Sequence, residues 1–488
     1  MLYDWIEQAA AAHGGDVYLA DARGTATLTY AGLLELTEDT RLRLDKAGLP
    51  PGARIGVRLA EPLRYAAALV AIVASGRVAV PLDPGAPDAD VARVLDVARP
   101  AAVVAEGWPG PGAALDTAGG TANPFRGMGR HAAAGGIFLS TSGTTGTPKG
   151  ILLGEEQLMH VATSVVESHR LTRADRGYCS LPLFHVNAEV VGVLATLRAG
   201  AYLAVDRKFS RRGFWEIISD REITWINAVP AIISILSMDP PACPPSRLRF
   251  VRSASAPLPV AALRAFEDEL GVPVVETYGM TEAASMITAN PVDGPRKPGS
   301  AGRAAGSEVR VEAADGVAAA PGEIGRVKIR GAGVISAYDC GGQPGVIDAD
   351  GWLDTSDLGY LDADGYLFLV GRSDDVINRG GEKIYPREIE EVLLAQPGVR
   401  SAAIIGVADA VLGEQPVAYI VPGDETGTPA VFKAALEAAL EAALRARCAK
   451  LLPRHKQPGE FRFMDRLPLG PTGKISRRLL KDLVAAQS

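Results

Sequence analysis

Short apolar runs alternate with helix-length segments from the N-terminus to about Glu276, and the alternation ends near Gly299. Tyr30 to Ala47 has a helical pattern, Arg54 to Leu59 is strand-like, Pro62 to Ala74 is helical, and Val78 to Leu82 is strand-like. Such alternation predicts a parallel sheet with helices on its faces. A Gly-, Ala- and Pro-rich stretch over 105–136 is expected to be a surface loop, and the alternation resumes at Glu155. Beyond Gly299 come short strands and tight turns: Glu308-Val-Arg-Val-Glu, Gly325-Arg-Val-Lys-Ile-Arg and Gly365-Tyr-Leu-Phe-Leu-Val. After Arg372 a charged run, Ser-Asp-Asp-Val-Ile-Asn-Arg-Gly-Gly, leads into an α+β pattern of small-domain size. The expected fold is α/β: a large N-terminal domain of parallel-type sheets with helices and a β-rich subdomain, then a small α+β C-terminal domain. In that small domain, Leu436, Leu440 and Leu444 at four-residue spacing are expected to be a core stripe.

At 488 residues the chain is too long for one ordinary core. A formal charge of −7, from 57 acidic and 50 basic residues, argues against a nucleic-acid protein. The opening Met-Leu-Tyr-Asp-Trp-Ile-Glu lacks the basic region and long apolar run of a signal peptide. Ala66 to Ser75, the most apolar helical segment, is too short to span a membrane. Cys179, Cys243, Cys340 and Cys448 lie far apart without metal spacing, which fits free thiols in the cytoplasm. Two Asp-x-Asp-Gly runs, at Asp348 and Asp362, lack the rest of a calcium ladder and are expected to be hairpin turns.

The run Ser140-Thr-Ser-Gly-Thr-Thr-Gly-Thr-Pro-Lys-Gly150 lies between two apolar runs, Ile137 to Leu139 and Ile151 to Leu153. Gly143 and Gly146 let backbone N–H groups approach an anion closely. The hydroxyls add donors and Lys149 adds charge, so the loop suits polyphosphate. It is not the common P-loop, because Pro148 precedes the lysine, Gly150 follows it and the next segment is strand-like. A solvated linker would not need the lysine.

This loop resembles that of the adenylate-forming superfamily, which includes acyl-CoA synthetases, peptide-synthetase adenylation domains and luciferases. The resemblance covers nearly the whole chain. It is strengthened by Glu276-Thr-Tyr-Gly-Met-Thr-Glu282, by Ser253-Ala-Ser-Ala-Pro-Leu258, by Gly351-Trp-Leu-Asp-Thr-Ser-Asp357 with Gly371-Arg372, and by Pro468-Leu-Gly-Pro-Thr-Gly-Lys474. It implies ATP as a cofactor, with phosphates held by Thr141, Ser142, Gly143, Thr144, Thr145, Gly146 and Lys149. Adenine would lie against Ser255, Ala256 and Pro257 and stack on Tyr278, with Glu276, Thr277 and Gly279 beside it. Thr281 would reach a phosphate oxygen, and Glu282 would supply the hard oxygen ligand that Mg²⁺ prefers. Asp357 would accept from the ribose hydroxyls, since a carboxylate accepts twice and donates nothing. Arg372 would assist it.

The resemblance also implies two domains, 1–373 and 374–488, with the second mobile about Asp374. Gly380 and Gly381 would line the thiol channel. Lys474 would be the catalytic lysine, offsetting repulsion when a carboxylate attacks an anionic phosphate. His185 would stand near the acyl carboxylate, with Asn187 and Glu189 reaching the acyl pocket. His185 stands where amino-acid-activating relatives carry an aspartate, so an α-amino acid is not expected. The implied reaction is ATP-dependent activation to acyl-AMP and transfer to a thiol, CoA first. Loading of an acyl-carrier protein's phosphopantetheine is the alternative, and a non-catalytic nucleotide-binding regulator is a further one. The stretch from Phe184 to Gly200, with Asn378-Arg-Gly-Gly-Glu-Lys-Ile-Tyr-Pro, looks most like CoA ligases, including the oxalyl-CoA type.

Overall fold

The computed structural model describes residues 1–106, 115–117, 135–142, 148–238, 240–241, 243–342, 345–423, 430–469 and 475–485. Two sheets form the large part. A nine-stranded sheet runs Arg303–Ala304, Thr288–Ala289, Val274–Tyr278, Phe250–Ser253, Trp225–Ala228, Arg176–Cys179, Tyr202–Val205, Val17–Asp21, Thr27–Thr29. Its strands from Val274–Tyr278 through Val17–Asp21 are parallel to one another, and antiparallel strands close both edges. A six-stranded sheet runs Leu115–Thr117, Ala102–Val104, Arg54–Val57, Val78–Pro81, Gly136–Ser142, Pro148–Gly154.

The helix Pro62–Ala74 shows why the two sheets hold together. Glu61 caps it by accepting from the N–H groups of Leu63 and Arg64, at 3.0 and 2.8 Å, and Pro62 opens it with φ already helical. From Tyr65 to Ala74 every residue is buried, and the helix touches strands of both sheets. A helix that is apolar all round must be enclosed. Each buried Leu, Ile or Val contributes about 1.5–3 kcal/mol. The segment Asn187–Leu194 is a buried π-helix packed on the helix Glu155–His169. Wide turns of this kind concentrate at functional sites.

The β-rich part is a four-stranded antiparallel sheet, Glu308–Glu312, Gly325–Arg330, Leu353–Leu361, Leu367–Arg372. Both Asp-x-Asp-Gly runs are hairpin turns beside its strands. Asp348 Oδ1 accepts from the N–H groups of Asp350 and Trp352, and Asp362 Oδ1 accepts from those of Asp364 and Tyr366. The C-terminal part packs a five-stranded sheet against the helices Pro386–Leu394 and Ala430–Leu451. Its leucine stripe differs from expectation. Leu444 is fully buried and Leu440 packs on the core, but Leu436 is 36% exposed. Of this 22-residue helix, the core cluster takes in Leu444 and Cys448, with Leu440 packed against it. All four cysteines are unpaired, and no described helix is long and apolar enough to cross a membrane.

Candidate active site

The Ser140–Gly150 run is a hairpin, with Thr141 opposite Lys149 and Ser142 opposite Pro148. Gly143, Thr144, Thr145 and Gly146 lie outside the described residues, as do the side chains of Thr141 and Ser142. At the hairpin's base, Lys149 Nζ lies 5.1 Å from the centroid of the Tyr338 ring. The Tyr338 hydroxyl donates to Glu282 Oε1 at 3.0 Å. Burial, and then the Glu282 carboxylate, push this phenol above its ordinary range, so it stays a donor. Gly150 is required where the segment Tyr338–Cys340 meets the strand Pro148–Gly154. Its N–H donates to the Cys340 carbonyl, and a Cβ there would lie 2.6 Å from Cys340 Sγ.

Tyr278 ends a parallel strand, and the chain then turns through Gly279 into the short 3₁₀ turn Thr281–Ala283 that carries Glu282. A Cβ on Gly279 would sit 1.2 Å from the Ser285 carbonyl oxygen, so only glycine fits this turn. The Tyr278 hydroxyl donates to Asp357 Oδ2 at 2.5 Å, and Arg372, opposite Asp357 in the sheet, brings its Nε to 3.9 Å from Oδ1. Burial, then Asp357, hold the Tyr278 phenol well above its usual range. Ser255, Ala256 and Pro257 are exposed just past the neighbouring strand Phe250–Ser253. In open α/β sheets ligands bind outside the C-terminal ends of the strands, where these groups collect. Thr277 and Glu276 are engaged inside the protein. The Thr277 hydroxyl donates to the Ser253 carbonyl, and the Glu276 carboxyl accepts from the Gly299 N–H at 3.3 Å. Burial pushes Glu276 up to about 8, with Arg387 opposing.

His185 is half-buried beside Phe184, with ring centroids 4.7 Å apart, and its carbonyl accepts from the N–H groups of Ala188 and Glu189 where the π-helix begins. Asn187 is buried, accepts from Arg252 Nη1 at 2.8 Å and donates to Ser255 Oγ at 3.2 Å. Glu189 is fully buried with no hydrogen-bond partner for either oxygen, and burial drives its carboxyl well above the usual range. Burial without a partner therefore favours its neutral form within the core.

Asp374 is exposed in the 3₁₀ turn Ser373–Asp375. Gly380 and Gly381, with φ of +60° and +90°, form the two-residue turn between Ile377–Arg379 and Glu382–Ile384. Arg379, Gly380, Leu412, Arg454 and His455 line an open cleft of about 440 Å³. Lys474 lies outside the described residues, and Leu469 and Ile475 pair across the base of its loop. The two parts touch where Arg387 Nη1 donates to the Leu369 carbonyl at 2.8 Å.

Sequence reasoning missed Tyr338 and Arg252. Tyr338 belongs to no motif. Arg252 is marked only as a charge inside the strand-like Phe250-Val-Arg-Ser.

The AMP-binding enzyme family model matches residues 6–125 and 137–339, and the AMP-binding enzyme C-terminal domain model matches residues 388–474. A sulfoacetate–CoA ligase of Cupriavidus necator is 43% identical over 346 residues, which are 70% of this chain and 65% of that protein. An oxalate–CoA ligase of Arabidopsis thaliana is 32% identical over 94% of this chain and 93% of its own length. Among solved structures, o-succinylbenzoate CoA synthetase of Bacillus subtilis with its acyl-adenylate intermediate is similar at a TM-score of 0.82, with 26% identity and 98% of each chain covered. The same enzyme with ATP and magnesium gives a TM-score of 0.80, with 26% identity and coverage of 98% of this chain and 99% of that one. With the strand ends and these matches in agreement, the chain belongs to the AMP-binding enzyme family.

Proposed function

We propose that this chain is an AMP-forming acid–CoA ligase. A carboxylate displaces pyrophosphate from ATP to give acyl-AMP, and the thiol of CoA then takes the acyl group and releases AMP. The observation that carries this reading is the turn from Tyr278 to Glu282. One end meets Asp357 and Arg372, an acceptor and a donor suited to a diol; the other meets Tyr338 and Lys149, a phosphate-and-metal pair. A nucleotide needs these two chemistries one turn apart.

The residues fit Mg²⁺ in the way nucleotide enzymes hold it. That ion keeps most of its waters and takes one or two carboxylates plus phosphate oxygens. Glu282 supplies one carboxylate, and the described residues hold no group of three or more ligands that would make a self-sufficient metal cage. When bound, Mg²⁺ neutralises phosphate charge. The chain's own residues orient the nucleotide: Lys149 and Thr281 on phosphate, Tyr278 on the base, Asp357 and Arg372 on ribose, and Lys474 on the charge that builds in adenylation.

His185 stands by the reacting carboxylate. Domains 1–373 and 374–488 reorient about Asp374, bringing Gly380 and Gly381 to the thiol, and CoA rather than a carrier protein is the acceptor. Glu189, held neutral, offers an α-ammonium no counter-charge, which supports acids without an α-amine. The sulfoacetate and oxalate ligases among its relatives support a short acid with a second acidic group. Unpaired cysteines fit a cytoplasmic enzyme. The test is pyrophosphate release over a panel of short, aryl and fatty acids, with mass detection of the CoA thioester. Acid-dependent pyrophosphate and thioester are expected, and their absence across the panel overturns the reading.

A further inference from the structure

We infer that Arg252, held by Asn187 and Asn227 behind Ser255, receives the second anionic group of the acid substrate, a carboxylate or sulfonate on a short carbon chain, and so selects dianionic acids. This inference rests on the acid–CoA ligase reading and names the substrate class of that site.

Arg252 is 1% exposed, the most deeply buried arginine described. The other two buried arginines each have a carboxylate partner: Arg54 pairs with Asp339 and Arg77 with Asp45. Arg252 forms no ion pair among the described residues. Its Nη1 donates to the side-chain carbonyls of Asn187, at 2.8 Å, and Asn227, at 2.9 Å, while its Nε has no acceptor. Asn227 also donates to Asn187 Oδ1 at 3.3 Å. Two amides orient the guanidinium without neutralising it, and a buried charge is costly until an opposite charge joins it.

The neighbouring Cys179 thiol does not supply that charge, because burial pushes it up to about 11. Burial lowers Arg252 only to about 9, so it remains a cation at neutral pH. The cluster also reaches the substrate side. Asn187 lies two residues after His185, and its amide donates to Ser255 Oγ at 3.2 Å. That hydroxyl therefore keeps its own proton to donate, on a run exposed where the strands end. A planar guanidinium donor linked through the Asn187 amide to a hydroxyl donor suits a carboxylate or sulfonate.

The experiment measures kcat/KM for pyrophosphate release with full-length protein, using malonate and sulfoacetate as dianions and propionate and butyrate as monoanions. The unmodified enzyme is expected to prefer the dianions, and a preference for the monoanions overturns the proposal. In Arg252→Gln the dianion-to-monoanion ratio is expected to fall by at least about a hundredfold, the scale of a missing polar partner, through KM more than kcat. Arg252→Lys, which keeps the charge without the planar fork, is expected to retain part of the preference and serves if the glutamine variant does not fold. A ratio unchanged in both variants, with equal losses on all acids and a lower Tm, makes Arg252 structural and overturns the proposal. Pyrophosphate release with no acid at all would instead reject the ligase reading, which separates the two failures.

Discussion

The phenol of Tyr278 donates to Asp357 at 2.5 Å and so ties the last central strand of the parallel sheet to the antiparallel sheet beside it. Asp357 occupies this place because the strand Leu353–Leu361 is irregular there: Ser356 has φ of +60°, and the four steps from Asp354 to Leu358 lie opposite only the two from Lys328 to Arg326. The bulge turns a carboxylate from the sheet towards the strand ends.

Replacing Asp357 with alanine should raise the KM for ATP by about ten- to a hundredfold, matching the loss of a charged hydrogen bond worth about 1.5–3 kcal/mol. Tyr278→Phe keeps the ring and loses only its hydroxyl, so a rise of about fivefold or less is expected. Steady-state pyrophosphate release against ATP concentration checks both, and an unchanged KM in Asp357→Ala would remove the ribose assignment.

Tyr338→Phe leaves the ring beside Lys149 but deprives Glu282 of its donor. We expect kcat/KM for ATP to fall by about tenfold, the scale of one hydrogen bond to a charged group. Tyr338→Ala also removes the aromatic face from Lys149 and should cost more. The comparison is made across a Mg²⁺ titration, and two variants indistinguishable from the parent would show that this link does no work.

Lys474→Ala should cost roughly 3–4 kcal/mol in adenylation, as other deleted electrostatic donors do. Thioester formation from supplied acyl-AMP should survive. Single-turnover assays of each half-reaction decide, and equal losses in both refute the role.

Asp374→Pro should show the opposite split. Proline fixes φ and removes an N–H, and a pivot must change its torsions. Acyl-AMP formation should stay near the parent rate while transfer to CoA is blocked; a variant that completes both steps normally would sink the pivot.

Glu276 gives a pH dependence of stability. Its folded pKa of about 8 lies above the ordinary carboxylate value, so the folded chain holds a proton that the unfolded chain releases. Stability from this group is therefore full below the ordinary carboxylate pKa and is lost as pH rises through about 8. Glu276→Gln should flatten the fall in Tm between pH 6 and pH 9, and a parallel fall in both proteins counts against a buried neutral Glu276.

Much of the outcome is written locally in the chain. Pro62 to Ala74 is helical because proline opens it, Glu61 caps it and its residues are apolar on every side. The turn after Tyr278 is marked by Gly279, and the hairpin turns by Asp348 and Asp362. Each depends on neighbours a few residues away, and local torsions and short hydrogen bonds decide them. The tertiary structure alone decided the rest. Tyr338 meets Glu282 from 56 positions away, and Arg252 meets Asn187 from 65. Glu189 became a buried neutral acid, and Leu436 stayed in solvent. Apolar spacing states which face of an element turns inward, but not what it meets there. Charge, partner and protonation state at those positions are set when segments distant in the chain pack together and exclude water.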